Sequence, residues 1–121
     1  MSSDALLARY PPAVAETAAA VRRTLLDVFP AIEETPDESA GVIGYGDGPG
    51  YKGLVATIIL SKKGVKLGLS GGASLPDPDG LLAGSGKVHR YVEMACPADA
   101  DRPALRRLIE AARAVRAARG G

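Results

Sequence analysis

The chain has no tryptophan, one phenylalanine (Phe29) and four tyrosines in 121 residues. Single-stranded nucleic acid is held largely by exposed rings on which bases stack, so this scarcity argues against such a platform. Charge gives the same answer. Fifteen basic and fourteen acidic residues leave a net charge of +1, which exerts no general pull on nucleic acid or an anionic membrane. There is one cysteine, Cys96, so no internal disulfide can form, and a reducing cytoplasm is the expected setting. Cys96 stands before Pro97 with no His or Asn beside it in sequence, the context of an inert thiol rather than a nucleophile. No apolar run approaches the ~18 residues needed to span a bilayer, and Met1-Ser-Ser-Asp4 lacks the basic and apolar regions of a signal peptide. There is also one histidine, His89, which without a second histidine or a usable cysteine makes a poor transition-metal centre.

What is present is ordinary for a soluble domain: 46% hydrophobic and 24% charged residues, in a length that fits one domain over residues 1–121. Glycine gathers between Gly41 and Gly86, whereas alanine and arginine gather at the ends. The middle therefore reads as strands and turns, and the flanks as helices.

A short helix is expected over Ser3 to Arg9, capped near Ser3 or Asp4 and ended by Tyr10-Pro11-Pro12. Pro12 can open a second helix, along which Val14, Ala18, Val21, Leu25 and Val28 form one apolar stripe, until Phe29-Pro30 stops it. Ala31 to Ala40, with Glu33, Glu34, Asp37 and Glu38 around Pro36, reads as an acidic connector. Gly41 to Gly46 is a weak strand and Asp47-Gly-Pro-Gly50 a turn. Leu54 to Ser61 is the strongest strand. It is apolar on both faces, so it is expected to lie centrally or to face a partner on its second side. Lys62-Lys63-Gly64 turns the chain, and Val65, Leu67 and Leu69 alternate with Lys66, Gly68 and Ser70, the pattern of a half-buried antiparallel strand. Asp77-Pro78 is expected to cap one helical turn ended by Gly84. Lys87 to Ala95 forms the last strand, with Val88, Arg90, Val92 and Met94 on one face and Lys87, His89, Tyr91 and Glu93 on the other. Asp101 is a plausible cap for a final helix to about Arg119, striped by Leu105, Leu108, Ile109, Ala112 and Val115. Two helices with one apolar stripe each need a shared surface. The expected fold is α+β: a two-layer sandwich, an antiparallel sheet of about four to five strands with the N- and C-terminal helices on one face.

The segment Gly72-Ala-Ser-Leu-Pro-Asp-Pro78, Gly80-Leu-Leu-Ala-Gly-Ser-Gly-Lys87 and Arg90-Tyr-Val92, with Tyr45-Gly46, Tyr51-Lys-Gly53 and Leu67-Gly68-Leu69, resembles the YdhG-like bacterial domains of unknown function. Some members of that family are described as frataxin-like iron chaperones. The resemblance covers roughly Tyr10 to Arg113 and implies the same two-layer fold. It also brings iron as a candidate cofactor, held loosely by Glu33, Glu34, Asp37 and Glu38; a run of carboxylates without defined spacing is otherwise a solvated connector.

Two further features could meet a ligand. Gly84-Ser-Gly-Lys87 suggests a phosphate loop, but five residues separate Gly80 from Gly86 where four are needed, Val88 follows the lysine, and a strand follows where a helix is needed. What is left is an anion-binding turn with Lys87 beside it. Arg90, on the apolar side of its strand, needs a carboxylate or carbonyl partner, for which Asp77 and Asp79 are the nearby carboxylates; it is expected first as a clamp that fixes the loop and otherwise as a contact for a ligand carboxylate or phosphate. Lys87, His89 and Arg90 are therefore the candidate ligand-binding residues. The leading expectation is a non-enzymatic cytoplasmic binding domain. The alternatives are a weak iron-binding chaperone, and an anion- or metabolite-binding protein or enzyme using the Gly80–Lys87 loop. A homodimer through the sheet is the expected partner, with neither nucleic acid nor membrane.

Overall fold

A computed structural model describes residues 2–47 and 53–118, with side chains to Val115 in the last helix. The turn expected at Asp47 to Gly50, the Tyr51-Lys52 part of the family motif and the helix end expected at Arg119 lie wholly or partly outside the described residues.

The elements run α1 (Ser3–Leu7), α2 (Pro12–Val28), β1 (Glu33–Asp37), β2 (Val42–Gly46), β3 (Leu54–Ser61), β4 (Gly64–Leu69), β5 (Arg90–Met94) and α3 (Pro103–Ala118). The strands form one antiparallel sheet in the order β1-β2-β3-β4-β5, so every strand pairs with its neighbour in sequence. This is the expected α+β sandwich, and the most apolar strand, β3, is its middle.

The register sorts the residues into two faces. One face carries the rows Pro36–Ile43–Ile58–Leu67–Val92 and Leu60–Val65–Met94. Here the core sits: Ile43, Ile58 and Leu67 are fully buried under the helices. All five apolar positions of the α2 stripe are buried, as are Leu105, Leu108, Ile109 and Ala112 of α3, so the 3.6-residue period of each helix was a sound guide to its inward side. The stripe of α2 is wider than hydropathy indicates. Thr17 and Thr24 are buried too, with their hydroxyls donating to the backbone carbonyls of Ala13 (2.9 Å) and Ala100 (2.9 Å).

Five local expectations change. The stretch expected as an acidic connector contains β1, paired with β2 from Glu33 opposite Gly46 to Asp37 opposite Val42. Proline is tolerated there because β1 is an edge strand, with one side of its backbone unpaired by the sheet. The cap of α1 is Ser2, whose hydroxyl accepts from the Ala5 amide at 3.1 Å. Asp101 caps no helix. It ends a 3-10 segment, Pro97–Asp101, in which the carboxylate of Asp99 accepts from the Ala95 amide (2.8 Å) and pairs with Arg102 (2.8 Å). The last strand begins at Arg90, so Lys87, Val88 and His89 belong to the preceding loop.

That loop, Gly71 to His89, contains no α-helical turn. Gly72–Ser74 is a 3-10 turn, and Asp77 instead folds the chain by accepting from the Leu81 (2.8 Å) and Leu82 (2.9 Å) amides. The loop then lies along the free edge of β5. Ala83 and Tyr91 exchange both backbone hydrogen bonds, at 2.7 and 3.2 Å, and the Ala73 amide reaches the Val88 carbonyl at 3.0 Å. An uncovered strand edge invites pairing with other chains, and this loop closes one. The close approach requires glycine: a Cβ on Gly72 would stand 2.8 Å from the Arg90 Cβ and 2.9 Å from the Arg90 backbone nitrogen. Gly72→Ala is therefore expected to lever the loop from β5 at a cost of about 2 kcal/mol. Amide exchange checks it: the Ala83 and Tyr91 amides should lose protection while Ile58 and Leu67 keep theirs.

Candidate functional site

The four carboxylates expected to hold a metal are sent in different directions by the strand. Alternation puts Glu33 and Asp37 outward and Glu34 inward. Glu33 and Asp37 are four steps apart along the strand, about 13 Å at the usual rise, too far to share an ion. Asp37 accepts from the Ser39 hydroxyl (2.8 Å) and the Ala40 amide (3.2 Å), contacts that hold its carboxyl below the usual range, and Glu38 pairs with Arg9. Among the described residues, no three of His, Cys, Asp and Glu are grouped so as to hold a metal ion.

Glu34 is instead the centre of a polar junction under the sheet. It accepts from Arg22 Nε (2.7 Å), the Tyr45 hydroxyl (2.6 Å) and the Ser3 hydroxyl (2.8 Å), while Arg22 also reaches Asp4 (2.7 Å). Burial alone would raise the Glu34 carboxyl, but the donors from Arg22, Tyr45 and Ser3 outweigh it and hold the group below its ordinary value. The Arg22 guanidinium is raised, chiefly by its hydrogen bond to Glu34, and the Tyr45 hydroxyl is raised by burial and then by the adjacent carboxylate. All the strong partners of Glu34 are spent on the fold, tying α1, α2, β1 and β2 together.

Lys87, His89 and Arg90 do not converge on a site. Lys87 and His89 are exposed in the loop. Arg90 is half-buried, and its Nε donates to the Gly86 carbonyl at 2.6 Å, so it clamps the loop it follows. The carboxylates expected to meet it are engaged elsewhere: Asp77 with backbone amides and Asp79 with Arg107 at 3.3 Å.

The second face of the sheet is where side chains remain available. Its rows are Asp37–Val42–Ile59–Lys66–Glu93 and Thr35–Gly44–Thr57–Gly68–Tyr91. Ile59 is 37% exposed in the middle of the most apolar strand. Glycines at 44 and 68 leave the surface low on both sides of Thr57. At one end of this face a groove of about 460 Å³ runs beside the β3–β4 turn, lined by Ile59, Ser61, Lys63, Gly64, Lys66 and Glu93 together with Val65, Met94 and Ala95. The ammonium of Lys66 lies 4.6 Å from the centre of the Tyr91 ring, a cation–π contact that steadies the lysine on the face.

Sequence reasoning noted the two-sided character of β3 but did not reach the groove. The signal was present in the alternation of β4, which sets Lys66 outward, and the pairing of β3 with β4 then brings it beside Ile59. What could not be read was how β5 comes alongside, because the 20-residue interval from Ser70 to His89 leaves that register open. Comparison with protein-family models, with curated proteins and with solved structures finds no match to this chain. The YdhG-like resemblance therefore rests on its motif residues alone, and the candidate site rests on geometry.

Proposed function

We propose that this chain is a non-catalytic binding domain of a reducing compartment such as the cytoplasm, and that it binds through the face of its sheet opposite the helices. The observation that carries this reading is Ile59, exposed at the centre of the most apolar strand, in a row whose flanks are Val42 and Lys66. An apolar side chain at that place loses hydration when something covers it, and the neighbouring lysine and carboxylates give orientation. The loop from Gly71 to His89 has a structural duty along β5, so the anion-binding reading moves from Lys87 to the open face. Pairing of two copies through this face is the second occupant considered, supported by the same exposed Ile59.

Amide shifts in two experiments test the reading: dilution from millimolar to micromolar protein, and titration with a mixed small-molecule fragment set. The expected outcome is movement of Val42, Thr57, Ile59, Lys66 and Gly68 in at least one of them. Shifts confined to the outer sides of α2 and α3, or to Gly80–His89, would overturn it. Dilution shifts with a falling sedimentation coefficient identify self-association; fragment shifts without them identify a small ligand.

A further inference from the structure

We infer that the groove beside the β3–β4 turn is a site for a small amphiphilic monoanion, a single carboxylate or equivalent charge on an apolar body. This rests on the reading of the open face as the binding surface and names the ligand class.

Volume comes first. About 460 Å³ falls within the ~300–1,000 Å³ of small-molecule sites. The groove is open because of what its floor lacks. Ser61 and Gly64 face each other across the turn and Ala95 follows β5, so three small residues stand side by side at the end of the sheet. A Cβ on Gly64 would meet nothing within 4 Å and its backbone is not in the left-handed region, so no steric rule demands glycine there. A larger side chain would simply fill the groove. Ile59, 37% exposed on this face, supplies apolar lining for a ligand body.

Charge comes second. Arg9, Arg22, Arg102, Arg106 and Arg107 each meet a carboxylate, and Arg90 and Arg113 donate to backbone carbonyls. The lysines of the turn are different. Among the described residues no carboxylate lies within ion-pairing distance of Lys62, Lys63 or Lys66, although Glu93 is opposite Lys66 in the sheet. Lys63 and Lys66 line the groove with Glu93, two positive charges against one negative. One anionic group neutralises that surplus, and Glu93 repels a second. The turn that presents Lys63 is held by the Ser61 hydroxyl, which accepts from the Lys63 (3.2 Å) and Gly64 (3.1 Å) amides. A turn fixed in this way loses little freedom when a ligand binds.

Octanoate is the probe, with octan-1-ol, octylammonium and acetate as its neutral, cationic and tail-less counterparts. Octanoate is expected to shift the Ile59, Ser61, Gly64, Lys66 and Ala95 amides in a saturable way, with the three counterparts each about tenfold weaker or more, the loss of one favourable contact class. Gly64→Leu should abolish the shifts while leaving the melting temperature near that of the parent. Lys63→Glu/Lys66→Glu should weaken octanoate about tenfold, since each exposed ion pair contributes only a few-fold, and should favour octylammonium. Equal binding of octanol or octylammonium by the parent overturns the monoanion assignment, as does unchanged octanoate binding by the double variant. No octanoate shifts, with other fragments or dilution moving the open face, overturns this proposal and leaves the binding-face reading standing; no movement on that face under any condition overturns both.

Discussion

Glu34→Ala is expected to lower the unfolding free energy by about 3 kcal/mol in urea denaturation at neutral pH, because one side chain satisfies three buried or half-buried donors. Tyr45 is fully buried, and its hydroxyl would lose its carboxylate acceptor. Arg22 would keep only Asp4, whose side chain is 84% exposed and holds it weakly. Glu34→Gln retains the shape and an acceptor oxygen, so a smaller loss of about 1–2 kcal/mol is expected. The pH dependence separates charge from shape. The folded Glu34 carboxyl is held below its unfolded value of 4.5, so its contribution is fully present above that value and is lost as pH falls through the lower folded one. Parent and Glu34→Gln urea midpoints should therefore be separate at neutral pH and draw together in acid. Tyr45 acts on the alkaline side. Its hydroxyl is raised above the ordinary 10.0, so stability is present below that value and declines as the unfolded chain begins to ionise above it. Midpoints that keep the same separation at every pH would show that the Glu34 charge contributes nothing.

Leu67→Ala is expected to cost about 3–4 kcal/mol, a transfer loss plus the cavity it leaves. Leu67 is fully buried between Ile58 and Val92 in the row that runs beneath the helices, and each of its neighbours is held by strand pairing. Little collapse into the vacated space is open to them. In a domain whose total stability is of the usual ~5–15 kcal/mol, that loss brings the unfolded population within reach of measurement at moderate temperature. Denaturant unfolding gives the value directly. The same truncation on the other face, Ile59→Ala, should cost well under 1 kcal/mol, because that side chain already meets solvent. Equal losses at Leu67 and Ile59 would mean that the open face is covered in solution, and concentration dependence of the Ile59→Ala midpoint would identify a second copy as the cover.

The contrast between these two residues shows how far sequence carries. Both belong to strands recognised by composition, and the helices were legible because apolar residues recur every three or four positions. The alternation of Val65, Leu67 and Leu69 named the inward side of β4 directly. Glu33 to Glu38 misled because four acidic residues and a proline resemble a solvated connector; an inward carboxylate is tolerable only with donors, and those come from Ser3, Arg22 and Tyr45, 31, 12 and 11 residues away. Asp77 was recognised as a capping residue, but the backbone amides it caps shape a loop along β5 instead of a helical turn.

Local chemistry in the chain determined the class of fold, the inward stripes of both long helices, the central standing of β3 and the outward placing of Lys66. These follow from periods of 3.6 and 2 residues and from proline and glycine, all of which act over a few residues. Tertiary structure alone decided that Glu34 closes a buried junction, that Arg90 clamps the Gly86 carbonyl and not Asp77 or Asp79, and that Lys63, Lys66, Ile59 and Glu93 border one groove. The junction and the groove are meetings between segments distant in sequence, set by strand register, while the Arg90 clamp on Gly86 four residues back is set by the path of the Gly71–His89 loop.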